Sequence, residues 1–491
     1  MDAQAGTLAA LQARYGPRYR WLLLLSVMIG TMASIMSSTI INVAVPDMSQ
    51  HFTLGQERAQ WVSSGFMVAM TVAMLTTPWL LARYGYRSVY VGAMLLLMAG
   101  GVAGGLADNF ALVLAARVAE GIAAGVVQPI PAIIILRAFE PSEQGRASSF
   151  FGMGVVLAPA IGPSVGGVLV DWFGWRSIFF MVVPLCLASL YLARRFVPVT
   201  APGGLAANST GVTLDWRGLL VAGVGTLCLL NGLVELHAGQ RVTAWALLGA
   251  ALAALAVFIG WQRRLGRTGG HPLMDLRLFA YRQFAMGCVV AFIYGTALFG
   301  STYLLPVYMQ LALKLSPSHV GAILLPSGLV LALTIALVGR LADRQPTHRL
   351  VSLGLALLAA SFALMVLVSV QTALWVVVLF AVLGRVGLGF ILPSLNLGAM
   401  RGIDKALISQ GSSAVNFMRM LGGAIGVSLC GILIEWRLDA HGDSLATAAT
   451  SPARLAAFNE VFLMLAAVCA LAIVAAWQLR QGKPEANRSL P

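Results

Sequence analysis

The chain has 491 residues, of which 59% are apolar and only 10% charged, and its formal net charge is +14. A soluble domain carries roughly 25% charged residues, so this composition excludes a water-facing surface for most of the chain and makes lipid its solvent. A basic excess of this size in a soluble protein points to nucleic acid, but here the basic residues sit between long apolar runs.

A bilayer core takes about 20 apolar residues per helix. Fourteen such runs follow one another, near 21–45, 60–82, 88–107, 110–136, 147–170, 175–196, 216–236, 243–262, 284–309, 318–339, 350–369, 372–399, 407–434 and 455–479. They are continuously apolar rather than alternating, which predicts helices and not a barrel. The first has no small-residue cleavage site after it and reads as a retained helix.

The first run carries Thr31, Ser34, Ser38 and Asn42 at spacings of three, four and four. This polar stripe either lines a water-accessible cavity or bonds to neighbouring helices. The fourth run holds Arg117 and, one turn later, Glu120, which share a helix face and can pair; Gln128 follows beside Pro129 and Pro131. In the fifth, Gly154, Ala158, Gly162 and Gly166 recur every four positions. They form a smooth face for close helix approach, with Pro159 and Pro163 adding kinks. Ordinary packing and a more specific motif both fit that spacing. Arg385 lies in the twelfth run, and Asn416 and Arg419 one turn apart in the thirteenth. The five cysteines are scattered in apolar runs without CxxC or Cys/His spacing, and the six histidines are unclustered, so neither a disulfide framework nor a metal centre is expected.

An even number of spans puts both ends on one side, and the basic residues per loop say which. The N-terminus and alternate loops hold 23 Lys and Arg, the other loops six, and Arg117, Arg385 and Arg419 lie within spans. With the acids included, the net charge is +15 on the expected cytoplasmic side, −3 outside and +2 in the membrane. Polar stretches at 197–215 and 263–283 bracket two helices. The expected organisation is a cytoplasmic N-terminus over 1–20, a six-helix bundle over 21–196, linkers and an inserted hairpin over 197–283, a second six-helix bundle over 284–479, and a cytoplasmic tail over 480–491. Two echoes support tandem halves: Arg117-Val118 with Gly121 recurs as Arg385-Val386 with Gly389 at an offset of 268, and 78–83 recurs as 339–344 at an offset of 261. Such repeats are a known construction of transporters.

Several motifs together carry a resemblance. They are Thr39, Asn42, Ala44 and Pro46 in the first helix; Arg117 with Gly121 in the fourth; Gly162, Pro163, Gly166 and Gly167 in the fifth; Trp175-Arg176 after it; Gly339, Asp343 and Arg344; and Arg419 with Gly422, Gly423 and Gly426. The chain resembles the major facilitator superfamily and, within it, the fourteen-helix drug:proton antiporters of the EmrB/QacA type. In that family the stretch from Gly162 to Gly167 is the antiporter motif.

Departures from the family pattern carry information too. Where the family has an acid in the first helix this chain has Ser37, and where it usually has Gln in the fourth this chain has Glu120. The loop after the second helix has lost its Gly and Asp, with Ala82 at the Asp position, but keeps Arg83, Gly85 and Arg87. The complete copy at Gly339, Asp343 and Arg344 is expected to fix helix ends against each other. A proton-coupled carrier needs a carboxylate whose hold on a proton changes with conformation. Burial opposes the charge on Glu120 and Arg117 favours it, so Glu120 is expected to replace the missing acid, against the rival reading of a static ion pair.

The resemblance implies an all-α polytopic membrane protein of the major facilitator fold, two bundles rocking around a midplane cavity lined by Thr31, Ser34, Ser38, Asn42, Gln128, Asn416 and Arg419. It implies proton-coupled export of amphipathic or apolar compounds across a bacterial inner membrane. The lipid bilayer, a small-molecule substrate and protons are its partners, with a periplasmic adaptor allowed and no nucleic acid. The absence of a GxxxxGK[ST] phosphate loop leaves the proton gradient, not a cofactor, as the energy source, and no enzyme constellation stands out. The rivals are an exporter dedicated to one endogenous metabolite, lipid-like molecule or anion, in which Arg117 meets the substrate, and a receptor or scaffold that binds without turnover.

Overall fold

A computed structural model describes residues 8–54, 56–199, 213–237, 240–315, 317–369, 371–443 and 452–480. Their regular structure is helical throughout: α1 (Leu8–Tyr15), α2 (Tyr19–His51), α3 (Gln56–Ala73), α4 (Thr77–Tyr84), α5 (Tyr86–Gly105), α6 (Phe110–Val127), α7 (Ile130–Ala138), α8 (Gln144–Phe173), α9 (Ser177–Phe196), α10 (Trp216–His237), α11 (Arg241–Arg267), α12 (Arg282–Leu311), α13 (Pro317–Ala342), α14 (Thr347–Met365), α15 (Leu374–Met400), α16 (Ile408–Ala440) and α17 (Pro452–Trp477).

Each of the fourteen apolar runs falls on a helical segment. Among the described residues, twelve segments are long and apolar enough to cross a membrane, and Pro326–Ala342 of α13 forms a shorter apolar helix. Two runs are interrupted. The second is carried by α3 and α4 around a short 3-10 turn ahead of Pro78, and the fourth by α6 and α7, because Pro129 and Pro131 have no N–H with which to continue the ladder. Helix ends follow local rules: the Asn109 side chain accepts from the Leu112 N–H at 2.9 Å to cap α6, and Gly85 and Gly174, both at φ 77°, terminate α4 and α8 in a conformation that favours glycine.

The chain divides into two compact units, residues 1–276 with 405–417, and residues 277–404 with 418–491. In the first, α2 packs on α8, α9 and α3, and α6 on α3 and α5; in the second, α15 packs on α14, α13 and α12, and α17 on α14 and α12. The sequence echo has a structural counterpart. A Cβ on Gly121 would meet the Phe66 carbonyl of α3, and one on Gly389 would lie 2.7 Å from Thr334 Cγ2 of α13. In each unit the repeated glycine seats the fourth span on the second.

The α10–α11 hairpin groups with the first unit and touches α3. It exposes Leu220, Val224, Leu252, Leu255 and Val257, as a lipid-facing pair does. Its base is clasped by Asp215: Oδ1 accepts from the Gly218 N–H and from Trp261 Nε1, both at 2.9 Å, and Oδ2 accepts from Gln262 Nε2 at 2.7 Å. Asp215→Ala removes a helix cap worth about 1 kcal/mol and strands two donors. The amides at the start of α10 should then exchange with solvent hydrogen at least several-fold faster, measured by hydrogen exchange in detergent, while those of α14 keep their rate.

Candidate functional site

Lipid makes an embedded charge expensive unless it is paired, so the mid-helix ions are the place to begin. Arg117 is 1% exposed and Glu120 0%. Arg117 Nη1 donates to Glu120 Oε2 at 2.5 Å and to Ser37 Oγ at 2.8 Å, and Nε donates to the Val62 carbonyl at 3.3 Å. The guanidinium carbon lies 4.2 Å from the centroid of the Phe66 ring, a cation–π contact. Four helix positions on three elements, α2, α3 and α6, thus converge on one side chain.

Glycines make the convergence possible. Any Cβ on Gly121 or Gly125 would run into the carbonyl of Phe66 or Met70, so their absence lets α3 lie directly against α6. On the carboxylate side, a Cβ on Gly100 of α5 would sit 2.6 Å from Glu120 Cγ, and one on Gly101 would sit 3.5 Å from Glu120 Oε1. Sequence reasoning missed Ser37 as an acceptor, the Val62 carbonyl, the Phe66 ring and these α5 glycines. Only the first had a signal, since Ser37 stands where the family has an acid. Positions 37 and 120 address the same guanidinium nitrogen.

Arg117 Nη2 and Glu120 Oε1 complete no hydrogen bond among the described residues. A buried ion pair with polar atoms left over is a poor stabilising device. It is well suited to change: a proton on Glu120 removes the charge attraction, and Arg117 retains Ser37, Val62 and Phe66 as hosts.

The polar stripe of α2 is split. Thr31 and Ser34 are buried and spend their hydroxyls on the carbonyls of Val27 at 2.9 Å and Thr31 at 2.8 Å. Ser38 is half-buried and bonds the Ile35 carbonyl at 2.7 Å. Asn42 is exposed and accepts from Ser63 Oγ at 2.9 Å. The first two therefore fit packing better than cavity lining. Gln128 is buried at the α6–α7 break, and Ser412 donates to the adjoining Pro129 carbonyl at 3.0 Å. Asn416, also buried, returns Nδ2 to the Ser412 carbonyl at 2.9 Å. These residues belong to the first unit, whereas Arg419 belongs to the second.

The spaced small residues of α8 face α2. A Cβ would lie 2.8 Å from Met28 at Gly154, 2.8 Å from Thr39 Oγ1 at Gly162 and 2.5 Å from Ile40 at Gly166, while Gly167 has open space. The Pro163 side chain is outside the described residues. Around the loop after α4, Arg83 is exposed and Arg87 Nε donates to the Val197 carbonyl at 2.7 Å, tying the start of α5 to the end of α9. Gly339 lies in the last turn of α13, with Asp343 half-buried and Arg344 exposed just beyond it.

Residues 27–427 match the Major Facilitator Superfamily. The chain is 30% identical over 455 residues to the multidrug resistance protein B homolog of Mycobacterium tuberculosis H37Rv, covering 90% of this chain and 82% of that protein. It is 24% identical over 407 residues to the lincomycin resistance protein LmrB of Listeria monocytogenes, covering 80% of this chain and 82% of that one. In structure it is similar to the human organic anion transporter MFSD10, with a TM-score of 0.66 at 15% identity, over 93% of this chain and 99% of the other; at that identity the likeness speaks for the fold. With the match spanning most of a helical multi-pass chain and relatives named for drug resistance, the chain belongs to the Major Facilitator Superfamily, alongside that superfamily's drug-efflux proteins.

Proposed function

We propose that the chain exports amphipathic or apolar small molecules in exchange for protons, by alternating access across a bacterial inner membrane, with both ends cytoplasmic. Glu120 carries the proton and Arg117 answers its charge. The observation that carries this reading is the buried Arg117–Glu120 pair, which shares its guanidinium with Ser37. The family, its resistance-named relatives and the unequal loop charges support the direction and orientation. The proton gradient is the energy source, and a periplasmic adaptor remains compatible with such an exporter.

The test is transport in proteoliposomes against a panel of chemically unrelated dyes and antibiotics. Several panel members should move when a proton gradient is imposed, each movement accompanied by a counterflow of protons, and rates should fall to leak level when an ionophore collapses the gradient. Transport that ignores the ionophore overturns the reading.

A second reading is an exporter of one anionic compound. Arg385 and Arg419 lie within α15 and α16, and α12 to α15 hold no Asp or Glu. The same panel separates the two: a single accepted anion, with every neutral and cationic dye refused, favours the second.

A further inference from the structure

One end of the second unit gathers positive charge around a cavity. α14 begins after Pro346, α15 ends beside Arg401, and the chain turns after α17 at Arg480. Thr347, His348, Arg349, Arg401, Trp477 and Arg480 contribute to the lining of a space of about 330 Å³, and among the described residues no acidic one lines it. That volume is at the lower end of small-ligand cavities.

The arrangement is built. Gln283 Nε2 of α12 donates to the Arg480 carbonyl at 3.2 Å, and Arg282 Nε donates to Gln478 Oε1 at 3.1 Å, so the turn that presents Arg480 is pinned from a neighbouring helix. The His348 ring meets Trp477 edge-on, with centroids 5.5 Å apart and planes at 83°. The first turn of α14 has no side-chain cap, and its amides add positive potential at the same end. Apolar spans begin at Thr347 and end at Met400 and Trp477, which puts the cavity at the membrane–water boundary, and Trp477 is 54% exposed there.

Three arginines line one small space, and like charges gathered so closely favour an anion between them. Arginine's planar fork fits phosphate oxygens two at a time, tryptophan favours the head-group level, and basic pockets between spanning helices hold anionic head groups. We propose that this cavity is a phosphate-binding site at the membrane boundary, filled by the head group of an anionic phospholipid.

The experiment is native mass spectrometry of the full chain in maltoside, titrated with dioleoyl phosphatidylglycerol, dioleoyl phosphatidylcholine or inorganic phosphate. Phosphatidylglycerol should bind and phosphatidylcholine should bind more weakly. Each of Arg349→Gln, Arg401→Gln and Arg480→Gln should weaken phosphatidylglycerol about fivefold, and the triple variant about a hundredfold. Substituting Arg263, Arg264 and Arg267 of α11 by Gln should leave that affinity unchanged, which separates a site from general attraction to basic surface. Unaltered melting in lipid-free detergent shows that each variant is folded. Binding of inorganic phosphate that is lost in the same variants supports the phosphate site and moves its occupant into solution. Equal phosphatidylglycerol binding by the parent chain and the triple variant, or equal loss in the α11 control, overturns the proposal.

Discussion

Glu120→Gln is expected to abolish proton-coupled transport, lowering gradient-driven rates by at least about tenfold, and Ser37→Asp in the same chain is expected to restore much of it. Glutamine matches the shape of Glu120 but cannot take up and release a proton. It also leaves the Arg117 guanidinium without the carboxylate bonded to it at 2.5 Å. Removing one partner of a buried pair costs about 3–5 kcal/mol, so loss of transport alone does not separate lost coupling from a damaged bundle. The second substitution does. Ser37 Oγ already accepts from Arg117 Nη1 at 2.8 Å, so a carboxylate at position 37 offers the same nitrogen an ionisable partner from α2 in place of α6. Rescue of both melting temperature and substrate-induced proton movement identifies a carboxylate beside Arg117 as the requirement. Rescue of the melting temperature without proton movement means the pair is structural. A Glu120→Gln chain that still releases protons on adding substrate refutes the role outright.

Gly121→Ala is expected to disrupt the first unit strongly. Its Cβ would meet the Phe66 backbone carbonyl, which belongs to a helix and cannot swing aside as a flexible side chain can. α3 and α6 must part, and overpacking of this kind costs typically about 1–3 kcal/mol. The same displacement draws the Val62 carbonyl and the Phe66 ring away from Arg117, so transport falls together with stability. Gly92→Ala is the control: nothing lies within 4 Å of the added atom, and exchanging a mid-helix glycine for alanine favours the helix by roughly 0.5–1 kcal/mol. Its melting temperature should hold or rise. Equal effects of the two substitutions would mean that the α3–α6 seam is not closely packed.

Much of this site is legible in the amino-acid sequence. Arg117 and Glu120 stand out because charged residues are rare in apolar runs, and their spacing of three predicts the pair that the geometry contains. The small residues of α8 announce close packing, and Gly154, Gly162 and Gly166 do face α2. The α2 stripe divides for a physical reason. A hydroxyl in a helix can bond to a carbonyl three or four residues back, so Thr31 and Ser34 satisfy themselves locally and can be buried without lining anything. The hairpin base leaves no sequence signal, because Trp261 and Gln262 lie 46 and 47 positions from Asp215 and form no spacing motif with it.

By itself the sequence determined that this is a helical, multi-pass membrane protein with an ion pair inside its fourth apolar run. Those properties depend on composition, periodicity and the distribution of charge along a line, and lipid enforces them strictly because it tolerates few charges and no unbonded backbone. Only the tertiary structure decided what surrounds that pair. Ser37 and Val62 reach Arg117 across 80 and 55 positions of chain, and Val62 does so because Gly121 and Gly125 omit the atoms that would have kept α3 from α6.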